Sequence, residues 1–144
     1  MIKIESGKWT VKWIAKKAST VFAADSLVSL DDGYVTPADS TTGAADEQAL
    51  GVYLGKAIGA TTTGKFLYSN TAKIPVAIPI GPATIRATVT GTFAATNRGD
   101  GFDMSTALIV DADANTYKVV NCVEYISATE GIFMISKSLD SGVA

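Results

Sequence analysis

Polar and apolar residues alternate along much of the chain, which is the period of a β-strand and not of a helix. In residues 83–93, Ile85, Ala87 and Val89 are separated by single polar residues. One face of this segment should therefore be buried and the other hydrated. Residues 73–82, KIPVAIPIGP, are also interpreted as extended. Because proline cannot donate a ladder hydrogen bond, this run is expected at a sheet edge or in a crossing between sheets.

Turn signals divide the first half of the chain into short strands. Asp32-Gly33 lies between two apolar runs and predicts a tight hairpin, because glycine tolerates a positive φ. Residues 37–46, PADSTTGAAD, are interpreted as a flexible surface loop. Residues 49–58 are expected to form a buried strand or a short helix entry, and residues 65–69, KFLYS, to form a strand.

The last third of the chain predicts a meander of three strands joined by short loops, over residues 107–111, 116–127 and 132–138. The middle segment carries apolar residues on both faces, as a central strand of a barrel or sandwich does. With about nine short strands and no long helix, we predict an all-β fold, a small β-barrel or β-sandwich with an extended N-terminal arm.

Composition agrees with a single β domain. The chain has 144 residues, of which 47% are hydrophobic and 18% charged, and this length suits one core. The single cysteine, Cys122, allows no internal disulfide. Neither a signal peptide nor a membrane-spanning run is recognised, so synthesis in the cytoplasm is expected.

Charge separates the N-terminus from the rest of the chain. Residues 1–17 contain five lysines and one acidic residue, Glu5, whereas the whole chain has a net charge of −2. We therefore divide the chain into a basic extended arm, residues 1–17, and one β domain, residues 18–144. A basic arm suits an acidic surface, such as that of a neighbouring copy. We expect the β domain to fold without the arm.

Two tryptophans give this arm an apolar face. In an extended chain Trp9, Val11 and Trp13 lie on one face and most of the lysines on the other. The alternative is a cationic amphipathic helix, in which Trp9 and Trp13 stack one turn apart. The residues predicted to contact another subunit or a larger assembly are Trp9, Trp13, Lys8, Lys12, Lys16 and Lys17.

The chain lacks the residues that most enzymes use. It has no histidine, the commonest general base and metal ligand, so we expect no enzymatic activity. Cys122 lies among valines, without a histidine partner, and is interpreted as a small buried apolar residue.

Residues 59–65 match the first seven positions of a phosphate-binding P-loop. The eighth position, which must be Ser or Thr to hold magnesium, is Phe66. The strand expected at residues 65–69 also offers no helix N-terminus for phosphate. We interpret the match as a Gly/Thr hairpin and predict no cofactor.

Two other short motifs fall in predicted turns. Asp111, Asp113 and Asn115 match the first three ligands of a calcium loop, but the glycine and the final acid that such a loop requires are absent. They are interpreted as a hairpin loop, with weak calcium binding as the alternative. Residues 98–100 spell Arg-Gly-Asp and are interpreted as a turn.

The chain resembles the capsid decoration, or cement, proteins of tailed bacteriophages. The resemblance covers residues 19–138. It rests on VSLDDGYVTPA leading into ALGVYLGKA, on KIPVAIPIGPATIRATVTGTF, and on GDGFDMS leading into ALIVDADANTYKVV and a closing EGIFMISKS.

This resemblance implies a β-barrel or β-sandwich on the outer capsid surface of a virion, commonly a trimer. Such a protein stiffens the shell by bridging subunits of the major capsid protein, and no catalytic residue or cofactor carries over. We expect neither nucleic acid nor a membrane as a partner.

Two other classes of protein are the alternatives. One is a carbohydrate-binding β-sandwich module that stacks exposed aromatic side chains on sugar rings. Its candidate residues are Trp9, Trp13, Tyr34 and Tyr53. The other is a membrane-active or nucleic-acid-binding protein that uses only the basic arm.

Overall fold

A computed structural model describes residues 1–44, 47–60 and 65–136. The described part is almost entirely β, so the predicted all-β class is confirmed. It contains nine strands, a short helix α1 (Lys65–Ser69) and a 3-10 turn (Ala95–Asn97). The strands are β1 (Lys3–Ala15), β2 (Leu27–Asp31), β3 (Tyr34–Pro37), β4 (Glu47–Tyr53), β5 (Lys73–Thr90), β6 (Gly101–Thr106), β7 (Ile109–Asp111), β8 (Val120–Ser127) and β9 (Glu130–Ile135).

Five strands close into a barrel, in the order β5, β7, β6, β8, β9 and back to β5. The β5–β7 pair is parallel and the other pairs are antiparallel. Each barrel strand contributes buried side chains to one core cluster, among them Ile85, Phe102, Val110, Val120 and Phe133. Closure leaves these five strands without a free edge along their paired stretches.

Strand β5 connects the barrel to a second layer of strands. Its second half lies in the barrel, whereas β1 pairs along residues 73–86 on one side and β4 pairs with the first half on the other. Strand β4 continues to β2 and then β3. At Gly51 a Cβ atom would collide with the carbonyl oxygen of Ala77, so only glycine allows β4 to lie this close to β5. A second core cluster, which includes Val28, Leu50 and Val76, fills this layer.

Local patterns were predicted well. Asp32 and Gly33 have φ values of 51° and 85° and join β2 to β3, as the hairpin prediction requires. Ile85, Ala87 and Val89 are all buried, which confirms the alternation in β5. Residues 47–53 are the strand β4 and not a helix entry. Residues 45 and 46 of the predicted loop lie outside the described residues.

One prediction about β5 is wrong in part, and two further predictions are wrong. Strand β5 is not at a sheet edge, but it does cross from one layer of strands to the other. Strand β7 does not pair with β8 in a meander, because β6 lies between them. Residues 65–69 form α1 and not a strand, and tertiary contacts from Lys16 and Ser19 satisfy the Tyr68 carbonyl near its end. No helix in the described residues is long and apolar enough to span a membrane.

Candidate interaction surface on strand β1

The segment predicted as an arm is a strand, as its period of two indicated, and not an amphipathic helix. Strand β1 pairs antiparallel with β5 from Lys3 to Ala15, with irregular steps at residues 4–6 and 7–9. Ile2, just before it, is 1% exposed and belongs to the larger core cluster. The basic segment is thus part of the sheet of its own chain.

The two tryptophans of β1 have different environments. Trp13 is 63% exposed, and its neighbour on the same face, Val11, is 52% exposed. Trp9 is half-buried against the larger core cluster, and its indole N–H donates to the carbonyl oxygen of Ser6 at 3.0 Å. Only Trp13 therefore presents most of its indole to the surroundings.

Trp13 is one end of an apolar row that crosses three strands. It lies opposite Pro75 in the β1–β5 register, and Leu54 donates its backbone N–H to the Pro75 carbonyl at 3.1 Å from the other side. Directly opposed residues in antiparallel strands share a face. Leu54 is 42% exposed. Trp13, Pro75, Leu54 and Val11 together form what we call the apolar row.

A shallow pocket of about 270 Å³ continues the apolar row beyond Leu54. Its wall is formed mainly by apolar side chains at the N-terminus and on β4, including Met1, Ile4 and Val52. Asp25 and Lys3 supply its polar rim. The apolar surface therefore runs from Trp13 across β5 and β4 to the start of β1.

The lysines predicted for contact divide into three groups. Lys8 and Lys12 are exposed, and the described residues offer neither of them an ion pair. Lys17 is exposed but forms a salt bridge with Asp31 at 2.8 Å, and this hydrogen bond raises its pKa. Lys16 is buried and forms the third group.

The prediction that Lys16 contacts another molecule is corrected by the structure. Lys16 is 0% exposed. Its ammonium donates to the carbonyl oxygens of Tyr68 at 3.2 Å and Asn70 at 2.7 Å, at the C-terminal end of α1. Burial away from water lowers its pKa. This lysine caps a helix inside the molecule, where carbonyl groups carry partial negative charge.

The only acidic residue of β1 is already paired. Glu5 lies 3.5 Å from the Arg86 guanidinium, which also reaches Glu130 at 3.3 Å. Since Arg86 offsets the charge of Glu5, the exposed part of β1 remains basic through Lys8 and Lys12. Strand β1 thus carries part of the apolar row on one face and the uncompensated charge of Lys12 on the other.

The chemical motifs of the sequence gain no support as sites. The described residues contain no group of three or more His, Cys, Asp or Glu side chains that could hold a metal. Asp111 instead accepts the N–H of Asp113, and Asp113 accepts the N–H of Thr92, as in ordinary turns. Cys122 is buried, and burial raises the pKa of its thiol.

The structure describes the whole Arg-Gly-Asp turn but only part of the P-loop match. Residues 61–64 lie outside the described residues. Residues 65–69 form a helix of five residues and not the expected strand, and Phe66 occupies the position where a P-loop requires Ser or Thr. Residues 98–100 are exposed in the turn before β6, and the Asp100 carboxylate accepts a side-chain N–H from Asn97 at 3.1 Å.

The aromatic residues proposed for sugar stacking do not form one platform. Tyr53 is 3% exposed and donates its hydroxyl proton to the Lys56 carbonyl, and Trp9 is half-buried. Tyr34 and Trp13 are exposed, on β3 and β1. Stacking by all four side chains together is thus excluded by the burial of Tyr53.

No protein-family model matches the chain, and a search of curated proteins finds no significant match. Sequence reasoning missed Leu54 and Pro75 as part of the surface. Their exposure depends on which distant strands pair, and no local pattern carries that information.

Proposed function

We propose that this chain is a structural virion protein that binds the outer surface of a phage capsid and stabilises it by bridging subunits of the major capsid protein, as a trimer. The observation that carries the proposal is the apolar row formed by β1, β5 and Leu54 just after β4, with Trp13 63% exposed at one end. The resemblance to decoration proteins supports the choice of partner.

The apolar row has the character of a protein-binding surface. Large exposed apolar side chains that adjoin one another, with charges at their side, are typical of interfaces, whereas scattered ones are ordinary. Tryptophan is also enriched among the residues that contribute most to binding. Covering about 100 Å² of indole at about 25 cal/mol per Å² contributes roughly 2.5 kcal/mol before ordering costs.

Lys8 and Lys12 make exposed strand β1 basic, and Lys12 lies on the face opposite Val11 and Trp13. Exposed ion pairs contribute only about 0 to 1 kcal/mol each, so these lysines act mainly on orientation and association rate. Their partner surface should therefore be acidic. Binding should weaken with added salt, but less than it weakens on loss of Trp13, because apolar burial is not screened.

The test is sedimentation of the purified chain with assembled, empty capsids of the virus whose genome encodes it. We expect saturable binding, a higher melting temperature of the capsid, and loss of both effects when Trp13→Ala is combined with Leu54→Ser. The matched control is Ile126→Ser, which changes an exposed apolar residue on barrel strand β8. A wild-type chain that does not sediment with capsids would refute the proposal.

The trimer is tested separately by light scattering over a range of concentrations, with the free protein and with the protein released from capsids. A mass of three chains in either sample supports it. A single-chain mass in both samples would leave capsid binding possible but would contradict the trimer.

A further inference from the structure

We propose that the partner binds by adding a strand to the free edge of β1 along Trp9–Trp13, and that this added segment is extended and alternates apolar with acidic side chains. The inference rests on the proposed function only in placing the contact on the same surface. It concerns the backbone of β1, which the apolar row does not involve.

The outer edge of β1 is unpaired among the described strands. From Lys3 to Ala15 its ladder partner is β5 alone. The next contact on the outer side begins at the end of the strand, where Lys16 forms a parallel bridge with Val35 and the N–H of Lys17 donates to the Val35 carbonyl at 2.8 Å. A strand edge of this length presents a row of backbone donors and acceptors to another chain.

The direction of these backbone groups follows from the β5 side. The Pro75 carbonyl accepts the N–H of Leu54, so it points away from β1. Along an antiparallel pair of strands, two kinds of opposed residue pair alternate. In one kind the two residues exchange both N–H···O=C hydrogen bonds, and in the next kind both residues turn their N–H and C=O groups away from each other. Trp13, opposite Pro75, therefore turns its N–H and C=O to the free edge, and Val11 and Trp9 do the same.

The prolines of β5 agree with this assignment. Pro75 and Pro79 lie opposite Trp13 and Trp9, at positions where β1 needs no N–H from β5. Residues 10, 12 and 14 are then the ones bonded to β5. The N–H of Lys16 continues the alternation, since it donates to the Ala72 carbonyl on the β5 side at 3.1 Å.

The segment from Trp9 to Ala15 is also regular enough to accept a strand. Both irregular steps of the β1–β5 ladder lie before Trp9, and the register is continuous from there to Ala15. Natural edges are usually blunted by bulges, prolines or inward charges. This segment has none of these, and only the exposed Lys12 interrupts it.

Side chains beside the edge select the occupant. A strand added here would place alternate side chains next to Val11 and Trp13 on one face and next to Lys12 on the other. Apolar residues suit the first face and carboxylates the second. A second copy of β1 would instead bring the same lysines together, where like charges are destabilising. The charge therefore favours an acidic strand over self-pairing.

Hydrogen exchange of the wild-type chain tests the assignment directly. In the free protein we expect fast exchange at the amides of Val11 and Trp13 and slow exchange at Thr10 and Lys12. The probe is a blocked synthetic peptide that alternates glutamate with valine. Adding this peptide should slow amide exchange at Val11 and Trp13 by about tenfold or more, because their N–H groups would then be hydrogen-bonded to the added strand. A peptide with lysine in place of glutamate should have no effect.

One substitution isolates the backbone contribution. Val11→Pro removes an N–H that points to the free edge and no hydrogen bond to β5, so the fold should survive, as circular dichroism can verify. Val11→Thr is the matched control, because it keeps the N–H and the branched shape. We expect Val11→Pro to weaken peptide and capsid binding by about tenfold or more, and Val11→Thr by much less.

The outcomes separate this inference from the proposed function. If Val11→Pro binds capsids as tightly as wild type while Trp13→Ala with Leu54→Ser does not, strand addition is wrong and capsid binding stands. If the wild-type chain does not bind capsids but the peptide protects Val11 and Trp13, the edge site stands without the proposed function. A wild-type dimer that Val11→Pro dissociates, together with no effect of the peptide, would overturn the inference in favour of a second copy.

Discussion

The ammonium of Lys16 lies 2.7 Å from the carbonyl oxygen of Asn70, inside the molecule and away from any described carboxylate that could pair with it. The same group reaches the Tyr68 carbonyl, which also accepts the N–H of Ser19. One lysine of the basic segment therefore fastens the end of β1 to the end of α1. The neighbouring lysine, Lys17, remains at the surface with Asp31.

Replacing Lys16 by methionine should change how stability depends on pH. Burial lowers the pKa of Lys16, so between its folded pKa and the unfolded value of 10.5 the unfolded state binds more protons at this amine. Stability of the wild type should therefore rise with pH in that window, relative to Lys16→Met. Urea unfolding of both proteins between pH 7 and about pH 10 measures the difference.

Lys17→Met is the control for this measurement, because its sign is opposite. The hydrogen bond to Asp31 raises the pKa of Lys17, so its contribution is present below the unfolded pKa of 10.5 and is lost as pH rises through the folded pKa. The effect should be small, since the group is exposed. Identical pH profiles for wild type and Lys16→Met would contradict the buried position of Lys16.

The Asp103 side chain should be important for stability, because it organises the loop between β7 and β8. Its carboxylate is 4% exposed and accepts three backbone N–H groups, from Thr116 at 3.1 Å, Tyr117 at 2.7 Å and Lys118 at 2.8 Å. Asp103→Asn replaces one acceptor by a donor and should lower the free energy of unfolding by about 1–3 kcal/mol.

Asp113→Asn provides the comparison for this carboxylate. Asp113 is exposed and accepts one N–H, from Thr92 at 3.0 Å, so its replacement should change the free energy of unfolding by less than about 1 kcal/mol. Urea unfolding of the two variants gives both values. Equal, small effects would mean that the three hydrogen bonds of Asp103 contribute little in solution.

Features of the fold that depend on residues close together in the sequence were predicted correctly. The turn at Asp32-Gly33 and the alternation of Ile85, Ala87 and Val89 in β5 depend on local backbone preference and period, and both predictions are confirmed. The length of β5 and its pairing with four other strands could not be read from the sequence, because its prolines suggest an edge. Only the register shows why prolines are tolerated in this central strand: the backbone positions of Pro75 and Pro79 point away from β1, so β1 needs no N–H from them.

The candidate surface was predicted in part for the same reason. Alternation placed Val11 and Trp13 together, and both are exposed. It could not separate Trp13 from Trp9, which packs against the core, or Lys12 from Lys16, because burial of the second member of each pair depends on distant residues. Leu54 joined the row through its pairing with β5, which no local pattern indicates.

The two tryptophans should therefore differ in what their loss does. Trp9→Ala removes a half-buried side chain and its bond to Ser6, and should lower the free energy of unfolding by about 2 kcal/mol. Trp13→Ala removes a mostly exposed side chain and should change it by no more than about 0.5 kcal/mol. Thermal and urea unfolding measure both values. An equally large effect of Trp13→Ala would contradict its exposure.

Deletion of residues 1–17 should destabilise the whole chain, in contrast to the expectation that the β domain folds without its arm. The deletion removes Ile2 from the core, the entire β1 partner of β5, and the Lys16 cap of α1. The exposed edge of β5 would then be free to associate with other chains. We expect a less cooperative urea transition, a lower melting temperature and a tendency to aggregate.

The control is Lys8→Ala with Lys12→Ala, which removes exposed charge and leaves β1 in place, and it should unfold like wild type. A truncated chain that is monomeric and as stable as wild type would show that β1 contributes nothing to the fold.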